Sequence, residues 1–333
     1  MTLTEIRQAL REQTFYTADG TILDKLEWFQ TNAGFDRIVS KEDAVRYKDD
    51  LAAYKNDPTT MPAGPPASPL AAVLSAIVRL KKEDYYLIAC GDWKPNWSKG
   101  PLANARASAV AEDPNIPIID GDYEAGWANL NRLVEKKVDG DGLQISGLIN
   151  WTSNTNGPPN YRQGFRVSHR IFEMKKKYDP ATNRRATRGI VRGESLAGID
   201  DPEYIEFSIK DWPLRHPEAK PELQKLEQTH VPIPVPAYDL EREGCRDLIL
   251  PPDYEAKLKG AVVQLEFHVN HWKINDKHSF TADVTKMRVL VPPVVLHAPD
   301  TPTPKRKRVR RFERDYRNGE SRDGSPAPIR RRL

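Results

Sequence analysis

The residues in this sequence best suited to chemistry are Lys and Arg side chains gathered into two short stretches. Residues 162–192 hold ten of them against two acids, and residues 305–333 hold 12 against four. Because the net charge of the whole 333-residue chain is only +4, the remainder is acidic. Cationic groups at this density attract phosphates, so the two basic segments predict binding to nucleic acid or another polyanion.

The first basic segment, together with the residue directly before it, contains aromatic rings at Tyr161, Phe165, Phe172 and Tyr178. Cations that contact phosphates, together with rings that stack on bases, are typical of surfaces that bind single strands. The alternative is that Phe165 and Phe172 belong to a strand with a solvated outer face, and both interpretations can hold together. The predicted nucleic-acid contacts are Arg166, Arg170, Lys175, Lys176, Lys177, Arg184, Arg185 and Arg188, with Trp97 and Trp151 as candidate stacking platforms.

The second basic segment begins with a dense run directly after Pro304. Such a run is the form of a nuclear import signal or a nucleic-acid contact, although a merely solvated tail is the alternative. A phosphate on Thr303 would cancel part of the charge. We therefore predict a nuclear location, an import receptor as a partner and a phosphorylation site at Thr303. The predicted import residues are Lys305, Arg306, Lys307, Arg308, Arg310 and Arg311.

Other groups of reactive residues give weaker signals. His268 and His271 lie three residues apart, and on a strand this offset points their side chains to opposite faces, which argues against shared metal ligation. Cys90 and Cys245 are far apart in sequence and are predicted to be buried hydrophobic residues. The sequence has no P-loop, GxGxxG, GxSxG or HExxH motif, so we expect no enzymatic activity, no cofactor and no metal. A rival hypothesis is a metal-dependent nuclease using His268, His271, Asp276 or Asp283.

Composition limits the size of the folded part. Only 38% of residues are hydrophobic, 29% are charged and 28 are proline, which predicts irregular stretches around a modest core. No apolar run approaches the roughly 20 residues of a membrane-spanning helix, and the first residues lack the apolar core of a signal peptide. We therefore expect no contact with a membrane and no secretion.

Residues 1–57 are predicted to be helical. The clearest helix follows Ser40, which begins a capping box that ends at Asp43, and its apolar residues recur at three- and four-residue spacing. We expect this narrow stripe to pack on the main domain, with a partner-binding helix as the alternative. Residues 58–69 are rich in proline and are predicted to be a linker.

From residue 70 the pattern is typical of short strands. A first hairpin is predicted from residues 71–80 and 85–93, followed by a loop at 93–115. Asp-Gly steps at 139–142 predict the turn of a second hairpin from 130–138 and 143–151, with a helix as the alternative for 130–138. Further strands are predicted at 204–209, 261–274 and 280–291. Their predicted inward residues include Val263, Leu265, Phe267, Val269 and Leu290, and Met287 is predicted to face outward.

Two resemblances follow from the later strands. The succession KGAVVQLEFHVNHWKINDKHSFTADVTKMRVLVPP, together with the earlier IVRLKKEDYYLIACGDW, resembles a family of uncharacterised proteins found in multiple copies in mushroom-forming fungi. That resemblance implies no function. The alternating pattern is also similar to the closing strands of an OB-fold, a small barrel used by many proteins that bind single-stranded nucleic acid.

Taken together, the sequence predicts a mainly β protein. A core domain at residues 70–292, an OB-like barrel or a β-sandwich, follows the small helical region and the linker and precedes a disordered basic tail at 293–333. The predicted function is sequence-tolerant binding of nucleic acid, with single-stranded DNA as one candidate ligand. The rival from another class is a nuclear protein that joins protein partners without touching nucleic acid. The sequence leaves DNA versus RNA and the oligomeric state open.

Overall fold

The computed structural model describes residues 1–58, 64–95, 100–138, 144–149, 164–175, 208–240, 247–274 and 277–294. Over these residues the protein is mainly β, with one mixed sheet of ten strands and a separate pair of strands. The strands are β1 Phe15–Tyr16, β2 Leu26–Gln30, β3 Asp36–Ser40, β4 Leu74–Leu80, β5 Arg106–Glu112, β6 Gln144–Gly147, β7 Phe165–Arg170, β8 Phe172–Met174, β9 His230–Pro232, β10 Ala237–Tyr238, β11 Val262–Ile274 and β12 Lys277–Val291. The α-helices are α1 Leu3–Gln13, α2 Ile22–Lys25, α3 Lys41–Asn56, α4 Asp122–Glu135, α5 Lys220–Leu226 and α6 Tyr254–Leu258. None of these helices is both long and apolar enough to cross a membrane.

Five strands of the large sheet pair in a closed ring. β4 pairs with β5, β5 with β7, β7 with β12 and β12 with β11, and β11 pairs in turn with β4. The β7–β12 pairing is parallel, and the other four are antiparallel. When the five strands are counted along the chain, their order around the ring is first, second, third, fifth, fourth.

The inside of this ring forms the hydrophobic core. Alternation along β5 turns Ala107, Ala109 and Ala111 inward, and all three are fully buried. Their small side chains leave room for the rings of Phe165 and Phe267, whose centroids lie 5.7 Å apart. Burying each of these rings contributes about 1.5 to 3 kcal/mol to stability. Because the apolar residues point inward, the alternating polar residues of the same strands lie on the outer face.

The predicted strands at 261–274 and 280–291 are present as β11 and β12. The faces predicted for the last residues of β12 are wrong. The pairing register shifts between Glu266 and Phe267, which leaves Thr285 as an extra residue in β12. A bulge of this kind reverses the alternation that follows it. Met287 is therefore fully buried, and Leu290 packs against a second, smaller cluster. The residues predicted to face inward from β11 are buried: Val263, Leu265, Phe267 and Val269.

The prediction of a strand at 130–138 is wrong, because α4 covers most of this segment. Its buried residues Leu130, Leu133 and Val134 recur at helical spacing, and the side chain of Asn129 donates to the carbonyl of Thr17 at 2.9 Å. Packing of this face decides the conformation, and the turn predicted at 139–142 lies outside the described residues. The described part of the partner strand, β6, pairs in parallel with β12.

The first predicted hairpin is also corrected. β4 occupies the predicted strand at 71–80, but its ring partner β5 lies within the segment predicted to be a loop. The intervening residues 85–93 form no regular strand, although Tyr86 exchanges two backbone hydrogen bonds with Ser108 at 2.7 and 3.2 Å. β5 gives little sequence signal because its inward residues are alanines. The strand predicted at 204–209 lies outside the described residues except for its last two, which are not in a strand.

The N-terminal segment contains three strands as well as the predicted helices. α3 begins after Ser40, whose hydroxyl accepts from the backbone N–H of Asp43 at 3.0 Å, and it ends at Asn56. β1 pairs with β4, while β2 and β3 form a hairpin that joins β11. The prediction of a helical segment is therefore correct for the helices but misses the three strands, because strands of five residues or fewer carry little periodic signal.

A glycine next to β5 gives a test of this packing. Gly91 has a φ of +57° and a Cβ there would lie 2.4 Å from the Arg106 carbonyl oxygen, whereas Gly34 has a φ of +81° with nothing within 4 Å. Gly34→Ala is expected to lower the free energy of unfolding by about 1 to 2 kcal/mol through backbone strain alone. Gly91→Ala should lower it by about 1 to 3 kcal/mol more, because the backbone of β5 must move. Equal losses in chemical denaturation would contradict the close approach.

Candidate nucleic-acid interface

The outer face of the ring carries polar side chains on neighbouring strands. Ser108 of β5 lies opposite Ser168 of β7, and Asp283 of β12 lies between Ser168 and His268 of β11. Residues two positions along each strand share this face. On β3, Arg37 lies opposite Asn270. We call this surface the outer strip, and its residues are Phe35, Arg37, Arg106, Ser108, Arg166, Ser168, Arg170, His268, Asn270, Trp272, Thr281 and Asp283.

Asp283 is the centre of a hydrogen-bond network in the outer strip. It forms an ion pair with Arg106, and its second oxygen accepts from the side chains of Asn270 at 2.9 Å and Thr281 at 3.3 Å. Arg106 also donates through Nε to the hydroxyl of Ser168 at 3.1 Å. The network therefore ties β5, β7, β11 and β12 together on the outside. It also neutralises the carboxylate of Asp283.

The other guanidinium groups of the outer strip have no such counter-charge. Arg166 donates to the hydroxyl of Ser108 at 3.2 Å, and its guanidinium carbon lies 6.0 Å from the centroid of the Tyr86 ring. Arg170 is exposed at the end of β7. Within the part of the chain that the structure describes, no carboxylate forms an ion pair with Arg37, Arg166 or Arg170. The outer strip is therefore positive where these three residues lie.

The structure brings two of the predicted contacts together and separates a third. Arg166 and Arg170 share the outer face of β7, but Lys175 follows β8 in the separate two-stranded sheet and donates to the backbone carbonyl of Glu227 at 2.8 Å. The remaining predicted site residues lie outside the described residues: Trp97, Trp151, Lys176, Lys177, Arg184, Arg185, Arg188, Thr303, Lys305, Arg306, Lys307, Arg308, Arg310 and Arg311.

As nucleic-acid contacts, sequence reasoning missed every member of the outer strip except Arg166 and Arg170, and it also missed the neighbouring Tyr86. Arg106 lies in the segment predicted to be a loop, Arg37 lies in the segment predicted to be helical, and Tyr86 reaches Arg166 from the chain beside β5. The alternation of Arg106, Ser108 and Val110 with three alanines was the available signal for β5. No local pattern places Arg37 beside β11, because that pairing joins residues more than 230 positions apart.

A buried chain of polar groups lies on the inner face of the β11–β12 hairpin. His271 Nδ1 lies 2.9 Å from a carboxylate oxygen of Asp36, and His271 Nε2 lies 2.9 Å from His278 Nδ1. Lys137 pairs with the same Asp36 oxygen at 3.0 Å. A neutral His271 fits this chain of groups: its Nδ1–H donates to Asp36, and its Nε2 accepts from the Nδ1–H of His278. The Trp28 ring packs against the His271 ring in an edge-to-face arrangement, with the two ring centroids 6.0 Å apart.

The histidines do not form a metal site among the described residues. His268 lies in the outer strip opposite Asp283, whereas His271 is 98% buried on the other face. No group of three His, Cys, Asp or Glu residues in the described ranges could hold a metal ion. Asp276, the remaining residue of the nuclease hypothesis, lies outside those ranges. The described geometry therefore gives that hypothesis no support.

The chain was compared with protein families, curated proteins and solved structures. No protein family, no curated protein and no solved structure matches it.

The buried histidine chain predicts a loss of stability in acid. Burial lowers the pKa of His271, against the opposing effect of Asp36, whereas an unfolded histidine has a pKa of about 6.5. As the pH falls below about 6.5, the histidine binds a proton in the unfolded chain before it does so in the folded protein, so the free energy of unfolding decreases. Above that pH, His271 makes its full contribution to the free energy of unfolding. In His271→Gln, this decrease should be shallower by up to about 1.4 kcal/mol per pH unit.

The measurement is chemical denaturation of wild type and His271→Gln between pH 5 and pH 8. Burial lowers the pKa of His169 to about 4 and also lowers the pKa of His268. These two histidines therefore retain part of the pH dependence of the free energy of unfolding in the variant. Identical pH slopes in the two proteins would show that His271 does not remain neutral when folded.

Proposed function

We propose that this protein binds single-stranded nucleic acid, with little sequence preference, on the outer strip. The observation that carries the proposal is that Arg166 and Arg170 project from one face of β7 with no carboxylate partner among the described residues. Tyr86 lies beside Arg166. Guanidinium groups in this setting bind phosphates, and a neighbouring ring offers a surface on which a base can stack.

We propose further that the ring of five strands is an OB-type barrel. Its order around the ring, with the third strand parallel to the fifth, is the connectivity of a five-stranded Greek-key barrel. In OB-folds the face of the second and third strands binds oligonucleotides. In this chain those strands are β5 and β7, which carry Arg106, Arg166 and Arg170. Connectivity and charge therefore favour the same face.

The first test replaces the two unpaired arginines of β7. Arg166→Gln/Arg170→Gln should bind an oligothymidylate of 12 residues at least about tenfold more weakly, since each charged hydrogen bond contributes on the order of 1 kcal/mol or more. Loss of two phosphate contacts should also reduce the slope of log affinity against log salt by about 1.4. Fluorescence anisotropy at 50 to 200 mM salt measures both quantities.

The matched control is Lys25→Gln/Lys225→Gln, which removes the same charge from exposed ion pairs with Asp19 and Glu222. It should lower affinity only slightly, through net charge. If the control weakens binding as much as the double arginine variant does, binding depends on the net charge of the protein, and the outer strip is not the site. Binding to protein partners that survives nuclease treatment, without any oligonucleotide binding, would favour the rival function.

We propose that the basic tail adds long-range attraction and nuclear import. Deletion of residues 305–333 should lower affinity for the oligonucleotide mainly through a slower association rate, because steering by distant charge acts before contact. Stopped-flow association at 50 mM salt tests this, and a tagged protein in cells should lose its nuclear accumulation. In Thr303→Glu, accumulation should fall, and localisation identical to wild type would remove the support for a phosphate switch.

A further inference from the structure

An aromatic pair occupies the end of the outer strip that is farthest from β5. The rings of Phe35 and Trp272 stack with centroids 5.5 Å apart and planes inclined by 26°. The guanidinium carbon of Arg37 lies 5.5 Å from the centroid of the Phe35 ring. All three side chains are partly exposed. Arg37 lies on β3, Phe35 directly precedes β3, and Trp272 lies on β11; β3 lies outside the ring of five strands.

The local backbone fixes this aromatic pair. The Phe35 carbonyl accepts from the backbone N–H of Thr31 at 2.9 Å and from the Thr31 hydroxyl at 2.7 Å. Trp272 stands on the long β11 strand, directly after the buried His271. Trp28, by contrast, lies on the inner face and donates its indole N–H to the Leu133 carbonyl at 2.8 Å. Among the described residues no ring other than Phe35 stacks on Trp272, so the outward-facing tryptophan keeps unused aromatic surface.

Arg37 supplies a charge that the protein does not balance. Its Nε atom is buried without a hydrogen-bond partner, and no carboxylate of the described residues forms an ion pair with it. Burial lowers the pKa of Arg37. A partly buried cation without a counter-ion is unfavourable, and a bound anion would relieve that cost. One more cation, Lys277, is exposed near the tip of the β11–β12 hairpin, on the same face as Trp272.

We propose that Trp272, Phe35 and Arg37 form a second nucleotide-binding station, at which a base stacks on Trp272 and a phosphate pairs with Arg37. This inference rests on the proposed function and extends its site beyond the barrel. From Arg166 on β7 to Arg37 on β3, the path crosses β12 and β11, which is three strand spacings or about 14 Å. That distance corresponds to about four nucleotides at the rise of a stacked strand.

Stacking makes the ligand a single strand with exposed bases, because bases in a duplex are already stacked on one another. The chemistry of the two stations differs accordingly. Arg166 and Arg170 attract any polyphosphate, whereas Trp272 distinguishes a polyphosphate that carries bases from one that does not. A base-free polyanion therefore separates the further inference from the function on which it rests.

The experiment compares oligothymidylate of 12 residues with inorganic polyphosphate of similar charge. Trp272→Leu should bind the oligonucleotide about tenfold more weakly, since stacking on one aromatic ring changes affinity by roughly five- to a hundredfold. It should bind polyphosphate within about twofold of wild type, and Trp272→Phe should recover most of the oligonucleotide affinity. Trp127→Leu on α4 is the matched control, because it removes a partly buried tryptophan that packs against the hydrophobic core and is not part of the outer strip.

Three outcomes decide between the alternatives. Unchanged oligonucleotide binding in Trp272→Leu, with binding lost in Arg166→Gln/Arg170→Gln, would overturn the second station and leave the proposed function standing. If wild type retains neither ligand at 50 mM salt, the proposed function fails together with the inference. Equal losses for both ligands in Trp272→Leu would mean that the ring only supports the fold.

A measurement on the wild-type protein removes any dependence on how the variants fold. An oligonucleotide containing 5-bromodeoxyuridine, cross-linked by ultraviolet light and digested with trypsin, should attach to the peptide of residues 260–273, which contains Trp272. Cross-links confined to other peptides would contradict the station.

Discussion

The antiparallel pairing of β11 with β12 is the interaction on which the rest of the described fold depends. The two strands pair from Val262 with Val291 to Ile274 with Lys277. β11 also pairs with β3 and β4, and β12 also pairs with β6, β7 and β10. Only β1, β2 and β5 join the large sheet without touching the hairpin. A change that loosened this ladder would therefore remove the support of both the core and the outer strip.

The same hairpin separates two kinds of chemistry by the simple alternation of a strand. Its inner face holds the buried side chains of His271 and His278, where one shared hydrogen bond and the carboxylate of Asp36 fix the rings. Its outer face holds Asn270 and Asp283, which stay partly exposed. Asn270 donates to Asp283, and Asp283 forms the ion pair with Arg106. The bulge at Thr285 reverses the alternation before Met287, so the side chain of Met287 points into the hydrophobic core. One irregular residue thus lets a single strand serve the polar strip at one end and the apolar core at the other.

Long helices and strands with a repeated apolar pattern could be predicted from the sequence. Features that depend on pairing or packing with distant parts of the chain could not. β11, β12 and α3 have 13 or more residues each, so their apolar repeats are clear, and all three were predicted. β5 was missed because three alanines give a weak hydrophobic signal, and α4 was misread because the turn signal after it was weighted above its helical spacing. The bulge at Thr285 depends on the register with β11, which the sequence of β12 alone does not encode.

The sequence predicted only some of the residues in the outer strip, because most of them are brought together by long-range strand pairing. Arg166 and Arg170 were visible as members of a basic segment, and local density of charge is readable from one stretch of chain. Arg37, Arg106 and Trp272 have unremarkable neighbours in sequence, and only long-range pairing brings them to the same face. A surface assembled from five strands is therefore only partly accessible to reasoning that works along the chain.

The carboxylate at the centre of a positive surface needs a physical reason, because Asp283 repels phosphates. Its bonds to Arg106, Asn270 and Thr281 hold the side chains of three strands in place, so the strip is ordered before any ligand arrives. Ordering in advance reduces the entropy lost on binding. The repulsion is local, because Arg106 cancels the charge of Asp283, whereas Arg37, Arg166 and Arg170 keep theirs. Under the proposed function, a polyanion would be attracted to the two sides of the centre and not to the centre itself, which favours a flexible single strand that can bend between them over a rigid duplex.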